Sequence, residues 1–266
     1  MFHSIQQFTT AKQEKRPITM ITCYDATSAR IANQSDVDCI LVGDSVAMTM
    51  HGFPDTTHAT VEMIASHVAA VRRGLGNAKG FVIADLPFLE HRGSPDRLVA
   101  AVQMLFRAGA NAIKVEGVRG SEHLFSQLIS AGVPIMGHLG LTPQSIHAFG
   151  GFKVQARDQA AQDLLIEDAL TAERLGVFAT VLECVPSSIA EQVTSKLSIP
   201  TIGIGAGVKT DGQVLVWQDL LGLNTSFKPK FVRRFAELEP LGLSALNQFT
   251  QAVREKSFPT AEESYS

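Results

Sequence analysis

The chain has 266 residues, 45% of them hydrophobic, and a formal net charge of −3. That length suits one large α/β domain of about 250 residues better than two small ones. The near-neutral charge, and the lack of any apolar run reaching the roughly 18 residues of a membrane span, argue against nucleic-acid and membrane partners.

The first twenty residues lack the apolar core of a secretory signal, and barrel-like sequence begins near residue 18. ITMITCYD (18–25) and CILVGDS (39–45) read as the first two strands. Residues 44–60, DSVAMTMHGFPDTTHAT, form a long polar loop of the kind that serves as a lid or substrate contact. In VEMIASHVAAVRR (61–73), Val61, Ile64, Ala65, Val68 and Val71 share one helix face. Glu62 stands at its start, Arg72 and Arg73 at its end, and Gly74 follows as a stop. GFVIADLP (80–87) is the third strand. The next helix opens with Ser94 as N-cap and Pro95 in its first turn, and stops at Gly109. AIKVEG (112–117) and PIMGHLG (134–140) are strands, followed by a helix at 158–176. ATVLEC (179–184), a helix at 186–197, PTIGIGA (200–206) and QVLVW (213–217) complete the series.

Short strands apolar on both faces suit a parallel sheet covered by helices. Such a series can form an open doubly wound sheet or a closed barrel. Polar residues stand at the C-terminal end of nearly every strand, and a barrel would gather them into one pocket. The expected fold is therefore an α/β (β/α)₈ TIM barrel, as a single domain over 1–266. Cys23, Cys39 and Cys184 are odd in number, widely spaced and without a CxxC pair. Buried thiols in a reducing cytoplasm fit better than a disulfide framework or a zinc site.

Asp44 follows the second strand and Asp85 ends the third. Lys114 and Glu116, two apart on one strand, point to the same side. His138 ends a fifth strand and Glu183 a sixth. Any one of these aspartates could be an N-cap or Asx-turn. Three carboxylates in one barrel mouth would repel one another unless a cation or proton intervened, and oxygen ligands point to Mg²⁺ or Mn²⁺ over zinc. Lys114 could serve as a structural ion pair or bind a substrate oxyanion. His138 could be a satisfied buried histidine or a functional one. Glu183, not needed as a further ligand, is the candidate general base. GIGAG (203–207) lacks the full GxGxxG fingerprint and reads as tight strand-to-loop packing.

Taken together, TCYD, LVGDS, SHVAAVRRG, ADLPF, RAGANAIKVEG, GHLGLTPQS, GGFKVQAR, LECVP, PTIGIGAG, TDGQVLV and KPKFVRRF resemble the ketopantoate hydroxymethyltransferase family over about residues 10 to 235. GHLGLTPQS and KVEG are the specific motifs. The resemblance implies a TIM barrel with one Mg²⁺ per subunit held by Asp44, Asp85 and Glu116. It places the oxo acid against Asp44, Ser45, Asp85 and Lys114, with His138 nearby, and makes Glu183 the catalytic base. The reaction it implies moves a one-carbon unit from 5,10-methylenetetrahydrofolate to 3-methyl-2-oxobutanoate through a Mg²⁺-stabilised enolate, giving 2-dehydropantoate. Family members are cytoplasmic bacterial homo-oligomers, often decamers. The chain departs from the family pattern at Ala47 and Val118, where glycines are common, and at His58, where a proline is common. Segment 90–94 is about one residue longer. A lyase or mutase of the phosphoenolpyruvate mutase group is the nearest rival, but its KKCGH-like lid motif is missing here. A barrel that only binds an oxo acid is a third reading, opposed by the retention of Lys114, Glu116 and Glu183.

Overall fold

Residues 1–78, 80–225 and 229–265 are described by a computed structural model; Lys228, which opens the KPKFVRRF stretch, lies outside them. The chain divides into two compact units, Met1–Val216 and Trp217–Ser266. A short helix α1 (Gln6–Gln13) leads into β1 (Ile18–Thr22), α2 (Ala26–Asn33), β2 (Cys39–Val42), α3 (Val46–Thr49) and α4 (Val61–Leu75). Next come β3 (Phe81–Asp85), α5 (Pro95–Ala108), β4 (Ala112–Glu116), α6 (Glu122–Ser130), β5 (Ile135–Gly140) and α7 (Ile146–Phe149). Then follow α8 (Gln159–Leu175), β6 (Ala179–Glu183), α9 (Ser187–Lys196), β7 (Thr201–Ile204) and β8 (Gly212–Leu215). The second unit holds α10 (Trp217–Leu220) and α11 (Leu238–Arg254). All eight strands are parallel, and β8 pairs back onto β1 to close a TIM barrel within the first unit. Among the described residues no helix is long and apolar enough to cross a membrane.

The interior is built by strict alternation along each strand. Phe81 and Ile83 of β3, Ala112 of β4, Met136 of β5, and Ala179 and Val181 of β6 belong to one buried apolar cluster. Two residues further along the same strands, the same face carries Asp85, Lys114, His138 and Glu183, and Glu116 lies two beyond Lys114. One row of positions is thus apolar at the bottom of the barrel and charged at the top. Below the apolar layer, α1 closes the barrel's N-terminal end. Its Phe8, fully buried, meets the rings of Phe2, Phe81 and Phe178 edge-on at 4.8, 5.3 and 5.1 Å. Sequence periodicity starts the barrel near residue 18 and does not reveal this plug, because a helix of 8 residues with two buried side chains is too short to show a period.

The helix signals hold at both ends of the long outer helices. The hydroxyls of Thr60 and Ser94 and the carboxylate of Asp158 accept the amides of Met63, Arg97 and Ala161, while Gly109 and Gly176 take left-handed φ at the C-termini. Gly74 differs from its expected role. The helix runs through it to Leu75, and Gly76 forms the cap with φ of 59°. The reason for a glycine at 74 is packing: a Cβ there would stand 2.3 Å from the Ala26 carbonyl oxygen and 2.6 Å from its Cα. Two of the GIGAG glycines serve the same end, as a Cβ on Gly203 would meet Thr210 Oγ1 at 2.6 Å and one on Gly207 would meet Ser187 Cβ at 2.5 Å. The three cysteines are all free.

Because the obstacle at Gly74 is backbone, α2 and α4 must separate to admit even a methyl group. Gly74→Ala should destabilise the fold by about 1–3 kcal/mol, although alanine normally favours a helix. Urea unfolding measures it, and unchanged or increased stability would show that the two helices do not depend on this contact.

Candidate active site

Strand register assembles the site from residues far apart in sequence. Asp85 pairs with Lys114 across β3 and β4, and Glu116 with His138 across β4 and β5. The inward side chains of each pair therefore meet. Lys114 Nζ lies 3.0 Å from Asp85 Oδ1 and 4.0 Å from Glu116 Oε1, and it donates to His138 Nδ1 at 3.0 Å. His138 Nδ1 is also 3.2 Å from Glu116 Oε1. Asp44, the second residue beyond β2, donates its backbone N–H to Asp85 Oδ2 at 2.9 Å. Ser45 follows it, its hydroxyl 2.7 Å from the phenol of the fully buried Tyr24.

The ammonium of Lys114 has no lone pair, so His138 Nδ1 must be the acceptor and the ring proton must sit on Nε2. Nε2 lies 3.1 Å from Glu183 Oε2, although it makes no well-aligned hydrogen bond. Asp85, Lys114, His138 and Glu183 thus form a continuous chain of contacts across the mouth. Depth separates its members: the side chains of Asp85, Lys114, Glu116 and His138 are 3–4% exposed, whereas Glu183 is 16% exposed. Glu183 is the most exposed carboxylate of the group.

Burial governs the titration of the group. It raises Asp44 well above the usual carboxylate range, with Asp85 and Glu116 adding to the effect. Burial also raises Glu116 to about 7, against the opposing pull of Lys114. For Lys114, burial works against the charge, but Asp85, Glu116 and Asp44 outweigh it and hold its pKa above the ordinary lysine value. Burial, then the neighbouring Lys114, lowers His138 and favours the neutral ring.

The fit to a divalent cation can be judged from these contacts. Asp44, Asp85 and Glu116 come together in one buried cluster, all hard oxygen donors, with a single ammonium to balance them. Glu116 Oε1 is buried without a hydrogen-bond partner. In donor type and charge the cluster suits Mg²⁺ or Mn²⁺. It is not a closed ligand set: among the described residues, no three His, Cys, Asp or Glu side chains stand ready to hold an ion, and Lys114 lies among the carboxylates instead.

Gln144 had no assigned role in the sequence, although it lies inside GHLGLTPQS. It sits in the 3₁₀ turn after β5 and reaches Asp44, Leu86 and Glu116. Its signal was its motif alone, since a glutamine in a loop after a strand is otherwise unremarkable. The long loop of residues 44–60 carries α3 and a 3₁₀ turn at Thr56–His58. It reaches the loop after β5 through Asp55, whose two oxygens lie 3.1 Å from His58 Nδ1 and 3.4 Å from His147 Nε2. The departures from the family pattern are accommodated locally. Neither Ala47 nor Val118 adopts a positive φ, His58 stacks on Phe53 at 4.9 Å, and the 90–94 segment is anchored by a bidentate Glu90–Arg97 pair.

Comparison with known proteins gives the family and the fold. The family model described as ketopantoate hydroxymethyltransferase matches residues 3–261. A 3-methyl-2-oxobutanoate hydroxymethyltransferase of Legionella pneumophila (strain Lens) is 50% identical over 262 residues, covering 98% of this chain and 99% of its own. The protein of that name from Bdellovibrio bacteriovorus is 51% identical over 263 residues, with 99% of each chain covered. Among solved structures, a phosphonopyruvate hydrolase in complex with oxalate and Mg²⁺ superposes with a TM-score of 0.63 at 12% identity, over 97% of this chain and 92% of that one. A 2,3-dimethylmalate lyase of the PEP mutase/isocitrate lyase superfamily gives 0.58 at 15% identity, over 100% of this chain and 93% of that one. At such identities the two structures share the fold.

The raised pKa of Glu116 fixes a sign for stability. A carboxyl group whose folded pKa exceeds its unfolded value of 4.5 stabilises the fold below that value, and the contribution is lost as pH rises through about 7. With a chelator present, the melting temperature should therefore drop between about pH 5 and about pH 8. The drop should be smaller in Glu116→Gln. Equal pH dependence in the two proteins would mean that Glu116 is not strained by its burial.

Proposed function

This chain belongs to the ketopantoate hydroxymethyltransferase family, and from that premise we propose that it makes 2-dehydropantoate from 3-methyl-2-oxobutanoate and 5,10-methylenetetrahydrofolate through an enolate of the oxo acid. It is a hydroxymethyltransferase of pantothenate synthesis. The observation that carries the enolate reading is the accessible Glu183 placed beside a buried, positively charged Lys114–His138 pair.

The chemical difficulty is the C3 proton of the oxo acid, a poor acid at neutral pH. Asp44, Asp85 and Glu116 are the residues that would hold Mg²⁺, which when bound supplies positive charge to the keto and carboxylate oxygens. The oxo acid then lies against Asp44, Ser45, Asp85 and Lys114. Glu183 takes the C3 proton, because the other carboxylates are buried and committed to neighbouring groups. Lys114, kept charged by the surrounding carboxylates, stabilises the oxygen on which negative charge develops. His138, neutral and carrying its proton on Nε2, separates the ammonium from the base and holds Glu183 toward the mouth. The resulting carbanionic C3 bonds to the methylene carbon as one of that carbon's two C–N bonds to the folate breaks, the freed nitrogen taking a proton. A water molecule then replaces the second folate nitrogen, leaving the CH₂OH group of 2-dehydropantoate and tetrahydrofolate. The loop of residues 44–60 and the loop after β5 flank the acidic cluster, joined through Gln144 and Asp44.

We further propose that the protein works in the cytoplasm as a homo-oligomer. In the second unit, α11 leaves Leu241, Leu246, Phe249 and Val253 exposed along one side, a surface that a soluble chain of this size ordinarily covers.

Proton abstraction can be read without the folate. In D₂O with Mg²⁺, the wild-type protein should exchange the C3 proton of 3-methyl-2-oxobutanoate faster than an enzyme-free control, as followed by NMR. Glu183→Gln should abolish that exchange yet still bind the ion. Lys114→Met should lower kcat by about 10²-fold while the fold persists. Absence of both C3 exchange and folate-dependent consumption of the oxo acid, in folded and Mg²⁺-loaded protein, would sink the proposed reaction.

A further inference from the structure

We propose that Gln144 is a positioning residue for the acidic site: it holds one oxygen each of Asp44 and Glu116 so that their remaining oxygens face the pocket and accept a divalent cation. The inference rests on the metal reading above and adds a residue that does not itself bind the ion.

The geometry is specific. The Gln144 side-chain amide donates to Asp44 Oδ2 at 2.8 Å and to the Leu86 carbonyl at 3.0 Å, and its backbone N–H donates to Glu116 Oε2 at 2.9 Å. Three donors of one residue thereby tie the ends of β2, β3 and β4 to the loop after β5. The Leu86 carbonyl can only accept, so the NH₂ end must face it and the amide cannot be flipped. Its Oε1 is left buried without a partner. The residue is 4% exposed and sits in a turn opened by Pro143, so little freedom remains to the side chain.

The effect on the carboxylates follows from their two oxygens. A carboxylate free to rotate presents either oxygen, and two such groups side by side turn to minimise their repulsion. With Oδ2 of Asp44 and Oε2 of Glu116 each occupied by an N–H, the free oxygens are Oδ1 and Oε1. Oε1 is the Glu116 atom that lies beside His138 and Lys114 and has no hydrogen bond. Partners of this kind around ligating carboxylates change metal affinity by about 10- to 100-fold. They matter most for Mg²⁺, which requires near-ideal octahedral geometry, and less for Ca²⁺, which tolerates irregular sites.

The test is metal affinity, measured by calorimetry for Mg²⁺ and Ca²⁺ and by Mn²⁺ electron paramagnetic resonance, in wild type and in Gln144→Met. Methionine keeps the length and volume of the side chain and the backbone N–H, but removes the two amide donors. The expected result is Mg²⁺ and Mn²⁺ binding weakened by about 10-fold or more, Ca²⁺ weakened less, and a chelated protein that still melts cooperatively. Should Gln144→Met fail to fold, Gln144→Ala provides the same comparison. A structural residue would lower the melting temperature and leave the Mg²⁺-to-Ca²⁺ preference unchanged, and that outcome overturns the proposal. So does wild-type affinity in the variant. If the wild-type protein binds none of the three ions, the metal reading itself falls and this inference with it. Binding by wild type with no effect of the substitution leaves the metal reading standing and removes only the role of Gln144.

Discussion

Three carboxylates and one ammonium buried together at the top of a barrel are the constraint to which the rest of the site answers. Removing an ionised carboxylate from water costs several kcal/mol unless an opposite charge or several donors replace the lost hydration. Asp44, Asp85 and Glu116 have one cation among them, Lys114, and it stands nearest to Asp85. The raised pKa values of Asp44 and Glu116 express the remaining debt. A carboxyl group can discharge it by taking a proton, or the cluster can do so by taking a divalent ion. A merely structural core has no reason to preserve such an imbalance, since apolar side chains of similar size would fill the barrel at lower cost. The imbalance is therefore best understood as a property the site uses.

The barrel supports this arrangement because its alternation is rigid. The strand face that carries Phe81 and Ile83 must carry Asp85, and the one that carries Ala112 must carry Lys114 and Glu116. A register slip of one residue would turn the charges outward and drive Val115 and Ala84 inward. The aromatic plug of Phe2, Phe8, Phe81 and Phe178 fills the opposite end. Apolar packing at the bottom thus fixes the register that aligns charges at the top. Stability and chemistry occupy opposite ends of the same strands, as in the TIM-barrel plan generally.

Much of this was legible in the sequence because it depends on local order. The parity of Lys114 and Glu116, the strand-end positions of Asp85 and Glu183, and the caps at Ser94 and Gly109 each follow from a few consecutive residues, whereas His138, expected at the end of its strand, lies two residues before the end of β5. What escaped depends on approach between distant segments. Gly74 looked like a helix stop, since a glycine after two arginines usually is one; only the Ala26 backbone against it explains why the helix continues. The α1 plug was missed because its two buried side chains, Phe8 and Ala11, are too few to establish a period. The link from His138 to both Lys114 and Glu183 could not be read either, as it needs the register of β4, β5 and β6 together. Gln144 is the clearest case: it lies inside GHLGLTPQS, but its partners are 28, 58 and 100 residues away and the motif does not say what it touches.

Depth in the pocket then divides the labour among chemically similar groups. Asp44, Asp85 and Glu116 each accept a hydrogen bond from the protein on one oxygen and are sealed from solvent. Rotating any of them toward a substrate carbon would break that bond in a medium where nothing replaces it. Glu183 accepts none of those bonds, lies 3.1 Å from His138 Nε2, and is 16% exposed. Moving it by the fraction of an ångström that a proton transfer requires leaves the buried network intact. The same glutamate stands at the end of its strand, immediately before Cys184 at a positive φ of 48°, where the chain turns out of the barrel. A carboxylate at that junction is held by the strand below and released by the turn above, so buried, hydrogen-bonded carboxylates and a more exposed one share one pocket; under the proposed reaction the first would hold the ion and the second would take the proton.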